Sequence, residues 1–418
     1  MHLSESALKS LFTPANLKLA WRKFCKDGVR GTGAGVDRVT AEIFESKLTS
    51  NLRSVALRVS SGEYNFSPLR PTIIPKSSGD FRVICVPTIS DRLVQRILVD
   101  YLMSLPSAER LRNDASFGFL KSMDGSPKGV NAARDRAIAL RKTGRWAYKS
   151  DVSAFFDNIP RDQLILQTMK LFRKPSLKGL ISRAADCEID SRNATVQRVV
   201  SQQGIRTGHG VRQGMPISPF FSNVILHEFD QEMVRRGFKM VRYADDFIVL
   251  ANSERDCFEA DRVARFLLAK LGLSLPTLSS NNKTKIIDPD GPVDFLGLSF
   301  RPTQNGTYEL ALSDSQLAKI KNRLGTLRDI DYLVAERLTV PGIAVRLENM
   351  IAGYRSAYSC ASNASALEGI FETSKLSSLT SIYRSILGAT VFDSLSQKQL
   401  MVLGLQNFPQ KSSKTVGR

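Results

Sequence analysis

Apolar residues in the first sixty positions recur at three- and four-residue spacing, in LKSLF, ANLKLAWRKFC and TAEIFESKLTSNLRSVALRV, which predicts helices. Between them GVRGTGAGVD is Gly-rich, but no GK[ST] follows it, so a turn is the better reading than a phosphate cradle. The period then changes. LRPTIIPKSSGDFRVICVPT reads as two short strands, RPTIIP and FRVICV, around a Ser-Ser-Gly-Asp turn. The helix DRLVQRILVDYLMSL follows, with Asp91 near its start as a candidate N-cap. Residues 121–149 are basic, a pattern that fits either a solvated helix face or a surface turned to nucleic acid.

The segment RWAYKSDVSAFFDNI reads as a strand with an acidic C-terminal end. The loop GHGVRQGMPISP leads into an evident helix, FFSNVILHEFDQEMVRRG. FKMVRY and FIVLA then flank Ala244-Asp245-Asp246, the pattern of a hairpin with acids at its tip. A helix, RDCFEADRVARFLLAKLG, and short strands near KTKII and VDFLGLSF come next. Residues 313–395 are helical in pattern, and the tail QNFPQKSSKTVGR is basic and reads as flexible. The sum is an α+β chain without an internal repeat.

Composition narrows the partner. Fifty-nine Lys and Arg oppose 40 Asp and Glu, a net charge of +19, and such an excess calls for a polyanion, nucleic acid before an anionic membrane. No run of 18 uncharged apolar residues suggests a membrane span, and the N-terminus has no secretory pattern, so a cytoplasmic location is expected. Five cysteines without CxxC spacing read as reduced, mostly packed thiols. Three histidines make a His-rich zinc site improbable, so carboxylates must hold any metal, which suits Mg²⁺.

Nucleotidyl transfer needs two divalent ions held by two or three carboxylates from different chain segments. Asp151 at a strand end, with Asp245 and Asp246 at a hairpin tip, offers that set. An Asp-Asp pair alone is weak, but here both flanking arms are apolar enough to be buried. Three carboxylates at buried strand ends repel one another without cations, which argues for function over structure.

The ordered motifs resemble the conserved blocks of bacterial reverse transcriptases over roughly residues 30–300. IPKSSGDFRVICVPTISDRLVQ resembles the fingers block, SFGFLKSMDGS the next, and DVSAFFDNI the first catalytic block. RQGMPISPFFSNVIL, RYADDFIVL, NNKTKI and FLGLSF are similar to the four that follow. The resemblance implies a right-hand polymerase: an N-terminal extension and fingers over 1–150, a palm with antiparallel sheet over 151–305, and an α-helical thumb over 306–418. It implies two Mg²⁺ ions on Asp151, the Val152 carbonyl, Asp245 and Asp246. Lys76 and Arg82 match residues that hold the incoming triphosphate, an exposed turn lysine being the other reading of Lys76. Gln213 should lie by the nucleotide, and Gly214 and Pro216 suggest backbone close to a ligand. Lys283 matches a lysine proposed to protonate the pyrophosphate. Tyr243, Phe295, Leu296 and Gly297 should face primer and template, core packing being the competing role for Leu296. Phe156, five residues after Asp151, matches the aromatic that blocks a 2′-hydroxyl, while Asp157 falls on the opposite strand face. The register thus favours deoxynucleotides.

Three bacterial groups compete. Mobile-intron enzymes share RYADDFIVL but usually carry further regions, and retron enzymes show a Val-Thr-Gly triplet that this sequence lacks. Stand-alone, defence-associated reverse transcriptases fit best. That implies a dedicated non-coding RNA copied into cDNA against phage. An untemplated or protein-primed polymerase, and a non-catalytic RNA-binding scaffold, are the alternatives.

Overall fold

The computed structural model describes residues 7–29, 32–75, 81–123, 125–280 and 282–405. They form two compact units, Met1–Asp288 and Pro289–Arg418. The break falls at 288, so residues 289–305, expected with the middle region, belong to the C-terminal unit. The basic tail after 405 lies outside the described residues.

The first unit opens with α1 (Ala7–Leu11), α2 (Pro14–Lys26), α3 (Ala41–Ser46) and α4 (Leu48–Ser60). Their apolar faces close on Trp21, whose ring lies 5.0 Å from that of Phe44. The Gly-rich loop after α2 is held from beneath. Arg92 donates to Thr32 Oγ1 at 2.6 Å and Gly33 O at 2.8 Å, and Arg70 to Ala34 O at 2.6 Å. Loop geometry, rather than anion binding, accounts for these residues.

Strands β1 (Arg70–Pro75) and β2 (Phe81–Val86) pair antiparallel as the alternation predicts. In α5 (Ile89–Ser104) the N-cap is Thr88, not Asp91. Asp91 sits one turn inside, returning the bond: its Oδ2 accepts from Thr88 Oγ1 at 2.7 Å, and its Oδ1 from the Tyr64 hydroxyl at 2.8 Å. Helix α6 (Val130–Arg141) carries the basic run, but Arg134 and Arg141 are buried, so the segment is more than a solvated face.

A four-stranded antiparallel sheet in the order β4-β5-β3-β6 forms the centre: β3 (Trp146–Asp151), β4 (Lys239–Tyr243), β5 (Asp246–Ala251) and β6 (Lys285–Ile287). Between β3 and β4 run α7 (Phe155–Asn158), α8 (Arg161–Phe172), α9 (Lys178–Ala185), α10 (Ala194–Gln202) and α11 (Ser218–Arg235). Helix α11 is buried over most of its surface, including the polar Ser222, Asn223 and Asp230, and so runs through the core. Its Phe229 ring meets Phe247 of β5 at 5.6 Å. Each such fully buried Phe stabilises the fold by roughly 1.5–3 kcal/mol. Helix α12 (Glu254–Ala269) packs on β3 and β5.

The second unit begins with an antiparallel sheet, β7 (Val293–Phe295), β8 (Leu298–Pro302) and β9 (Tyr308–Ala311). Strand β9 was not legible in the sequence. Helices α13 (Asp314–Gly325), α14 (Ile330–Ala335), α15 (Val340–Tyr358), α16 (Ala366–Leu387), α17 (Ala389–Asp393) and α18 (Gln397–Val402) follow. The C-terminal third is therefore helical with a sheet at its start. No described helix is long and apolar enough to cross a membrane.

Candidate active site

Strand register brings the three acids together. Asp151, the last residue of β3, lies directly opposite Asp246, the first of β5. Tyr243 pairs with Asp246, leaving Ala244 and Asp245 as a two-residue turn. Val152 N donates to Asp245 O at 3.1 Å, tying the chain beyond β3 to that turn. Ala244 has φ 58°. Positive φ at the first of two loop residues is the sign pattern of a type II′ hairpin, a place that favours Gly and strains Ala.

Burial pushes the Asp246 carboxyl up to about 6; the Lys149 ammonium opposes the shift, while Asp245 and Asp151 add to it. Asp245 also moves upward, chiefly through burial and then the charge of Asp151, with Lys283 and Arg82 pulling it back. Lys283 Nζ lies 2.5 Å from Asp151 Oδ2, and Lys149 Nζ 3.7 Å from Asp246 Oδ1. Among the described residues no three His, Cys, Asp or Glu side chains stand ready as a metal cluster. The donor set nevertheless fits a hard divalent cation. Asp151 Oδ1 and Asp246 Oδ1 are buried without a hydrogen-bond partner, and both belong to carboxylates.

The turn rests on a buried polar network. Arg242, its side chain 1% exposed, donates to Asp230 Oδ1 at 2.6 Å and Oδ2 at 2.5 Å, and to Ala244 O at 2.8 Å. It also donates to Ser116 Oγ at 2.9 Å. Residues 116–118 thus lie against β4: Phe117 N donates to Arg242 O at 2.9 Å, and Asn223 Nδ2 holds Gly118 O at 2.9 Å. A Cβ on Gly118 would stand 2.7 Å from Ala244 N, so only glycine permits this approach. The Tyr243 ring packs on Phe119 at 5.6 Å.

Phe156 and Asp157 correct the sequence reading. Strand β3 stops at Asp151, and both residues sit on the single turn α7, so they are helical neighbours rather than occupants of opposite strand faces. Phe156 is half-buried, its ring 5.2 Å from Phe155. Its carbonyl accepts from Val211 N at 2.7 Å, which places the Arg-Gln-Gly loop beside it. Gln213 is half-buried in that loop, and its carbonyl accepts from Cys85 N of β2 at 2.7 Å. Gly214, with φ 103°, makes its close approach to the Cys85 carbonyl. Strand β2 by itself requires glycine there.

Arg82 is exposed on β2. Lys76 lies outside the described residues. Phe295, Leu296 and Gly297 belong to the second unit: Phe295 is fully buried, and Leu296 (φ 51°) and Gly297 (φ 82°) turn the β7–β8 hairpin. Core packing explains Phe295, and turn geometry explains Gly297.

Sequence reasoning missed Lys149, Arg242 and Glu188. Lys149 was visible in principle, because residues two apart share a strand face and Asp151 was already singled out. Arg242 carried a signal too: a charge inside an apolar hairpin arm needs a buried partner. Glu188, which accepts from both Arg161 and Arg212, carries none.

Residues 74–300, more than half of the chain, match the family described as reverse transcriptase (RNA-dependent DNA polymerase). The chain is 27% identical over 304 residues to protein YkfC of Escherichia coli, covering 63% of this chain and 74% of that protein. It is 23% identical over 343 residues to the group II intron-encoded protein LtrA of Lactococcus lactis, covering 66% of this chain and 54% of that one. Among solved structures it is similar to telomerase from Candida albicans, at 14% identity and a TM-score of 0.40, covering 88% of this chain and 69% of that one.

Proposed function

As this chain belongs to the reverse transcriptase (RNA-dependent DNA polymerase) family, we propose that it copies RNA into DNA at the centre formed by Asp151, Asp245 and Asp246. The observation that carries this reading is the register that sets Asp151 opposite Asp246 at the foot of the Ala244-Asp245 turn. Asp151, Asp245, Asp246 and the Val152 carbonyl would hold two Mg²⁺ ions, which when bound supply positive charge at the attacking 3′-oxygen and the leaving phosphate oxygens.

The protein groups around the acids have distinct work. Arg82 and Lys76 grip the triphosphate as cationic donors. Lys283, poised on Asp151, delivers a proton to the departing pyrophosphate oxygen. Gln213 orients the nucleotide from the loop beside Phe156, and the Phe156 ring excludes a 2′-hydroxyl. Tyr243 supports the primer–template beside the acids, and Leu296 and Gly297 are primer-contacting residues of the second unit. The regions take the names of the hand: fingers over 1–150, palm over 151–305 and thumb over 306–418.

The template is a structured, dedicated non-coding RNA, and its cDNA serves bacterial antiviral defence in the cytoplasm. The net charge of +19 supports a long RNA partner held through its phosphates. A second reading, a group II intron-type enzyme, is favoured by the likeness to LtrA. Replacing Asp245 and Asp246 by Asn should abolish Mg²⁺-dependent dNTP incorporation and leave RNA binding intact. Persisting incorporation would sink the catalytic reading. Sequencing the nucleic acid that copurifies decides the template: intron RNA supports the second reading, and one discrete non-coding RNA with its cDNA supports the first.

A further inference from the structure

We propose that Glu188 is a positioning residue for sugar selection, acting by clamping the 206–213 loop against the backbone of Phe156. The proposal rests on the reading of Phe156 as the aromatic that excludes a 2′-hydroxyl.

Glu188 follows α9 in the chain, away from the acids, yet its carboxylate gathers three donors. Oε1 accepts from Arg161 Nη2 and from Gly208 N, both at 2.8 Å, and Oε2 accepts from Arg212 Nη2 at 2.6 Å. Each arginine turns a second bond onto the same loop. Arg161 Nε donates to Gly210 O at 2.7 Å, and Arg212 Nη2 to Arg206 O at 2.8 Å. One carboxylate thereby secures the loop at four alternating positions.

The loop hands that constraint on in two directions. Val211 N donates to Phe156 O at 2.7 Å, and Gln213 O accepts from Cys85 N at 2.7 Å. The clamp itself is anchored, because Leu69 N donates to Glu188 O and Asp190 N to Leu69 O, each at 2.8 Å. Glu188 cannot follow the loop if the loop shifts. Arg212 depends on it as well: its side chain is 2% exposed, and its other acidic neighbour, Asp157, lies 3.9 Å away. A buried guanidinium left with that weaker partner will pull the loop out of place. Steric exclusion of one hydroxyl is sensitive to displacements well below the length of a bond, so a loosened loop opens the gate without touching the acids.

The test uses the full chain with Mg²⁺ and a primed template, comparing single-nucleotide kcat/KM for a dNTP and its ribonucleotide. Glu188→Gln should lower the dNTP preference by about tenfold, raise KM for the dNTP, and change kcat for it by less than about threefold. Arg161→Lys keeps the charge but loses the Nε bond to Gly210, and should lower the preference less. It decides the matter if Glu188→Gln does not fold. Adding Glu188→Gln to Phe156→Ala should reduce the preference no further than Phe156→Ala alone. Variants that keep the wild-type preference while dNTP and ribonucleotide efficiencies fall together would reduce Glu188 to a structural role and overturn the proposal. A Phe156→Ala enzyme that still rejects ribonucleotides would instead remove the gate on which it rests.

Discussion

The guanidinium of Arg242 donates a 2.8 Å hydrogen bond to the carbonyl of Ala244, the residue whose positive φ shapes the acidic turn. The cation inside the hairpin arm is thus the prop of its tip. Its other bonds go to Asp230, Asn223 and Ser116, so α11 and the 115–119 segment hold the turn through one side chain.

Replacing Arg242 by Met leaves the buried Asp230 without its cation and with only the Asn113 amide as donor, which costs roughly 3–5 kcal/mol. Thermal unfolding should shift down by about 10 °C for a unit of this size. Adding Asp230→Asn should restore much of the stability but not dNTP incorporation, because Ala244 still lacks its donor. A stable double variant with a wild-type rate would show that the prop is dispensable.

Asp246 gives a pH dependence of defined sign. Its carboxyl is raised from 3.8 to about 6 on folding, so the folded chain holds more protons than the unfolded chain between those values. Its contribution to stability therefore falls as pH rises through that window and stays low above it. In chelator-treated protein, Asp246→Asn should be more stable than wild type above pH 6, by about 1–2 kcal/mol once partial exposure is allowed for. The gain should vanish toward pH 4, and a gain that grew on acidification would refute the assignment.

Lys149 and Asp246, 3.7 Å apart with side chains 20% and 28% exposed, should be coupled. A cycle of Lys149→Met and Asp246→Asn, read by chemical unfolding without metal, should return an interaction of about 1 kcal/mol. Additive single effects would mean that the contact carries no energy.

Phe156→Ala should raise ribonucleotide incorporation roughly tenfold or more while dNTP use changes little. Primer extension with each nucleotide class measures it, and unchanged discrimination would free Phe156 for a purely packing role.

The fold was legible wherever periodicity and partner coincided. RPTIIP and FRVICV became β1 and β2, and the apolar arms around Ala244-Asp245-Asp246 became β4 and β5. Local pattern misled where a backbone change had no apolar signature. Strand β3 ends at Asp151 because Ala154 enters the left-handed region (φ 42°) and starts α7, something Ser-Ala-Phe-Phe does not announce. The approach of Gly214 to the Cys85 carbonyl is not legible, because composition cannot say which backbone comes near. Glu188 stayed hidden for a related reason, since its partners Arg161 and Arg212 meet it only through tertiary structure.

The pairing of Asp151 with Asp246 also fixes when the centre can exist. The helices α7 to α11 lie between the two strands, so closing β3 on β5 means ordering a long intervening chain first. Contacts of such sequence separation form late. A nascent or half-folded chain can display every acid and still own no site, so the meeting of the three carboxylates is a certificate that folding has finished.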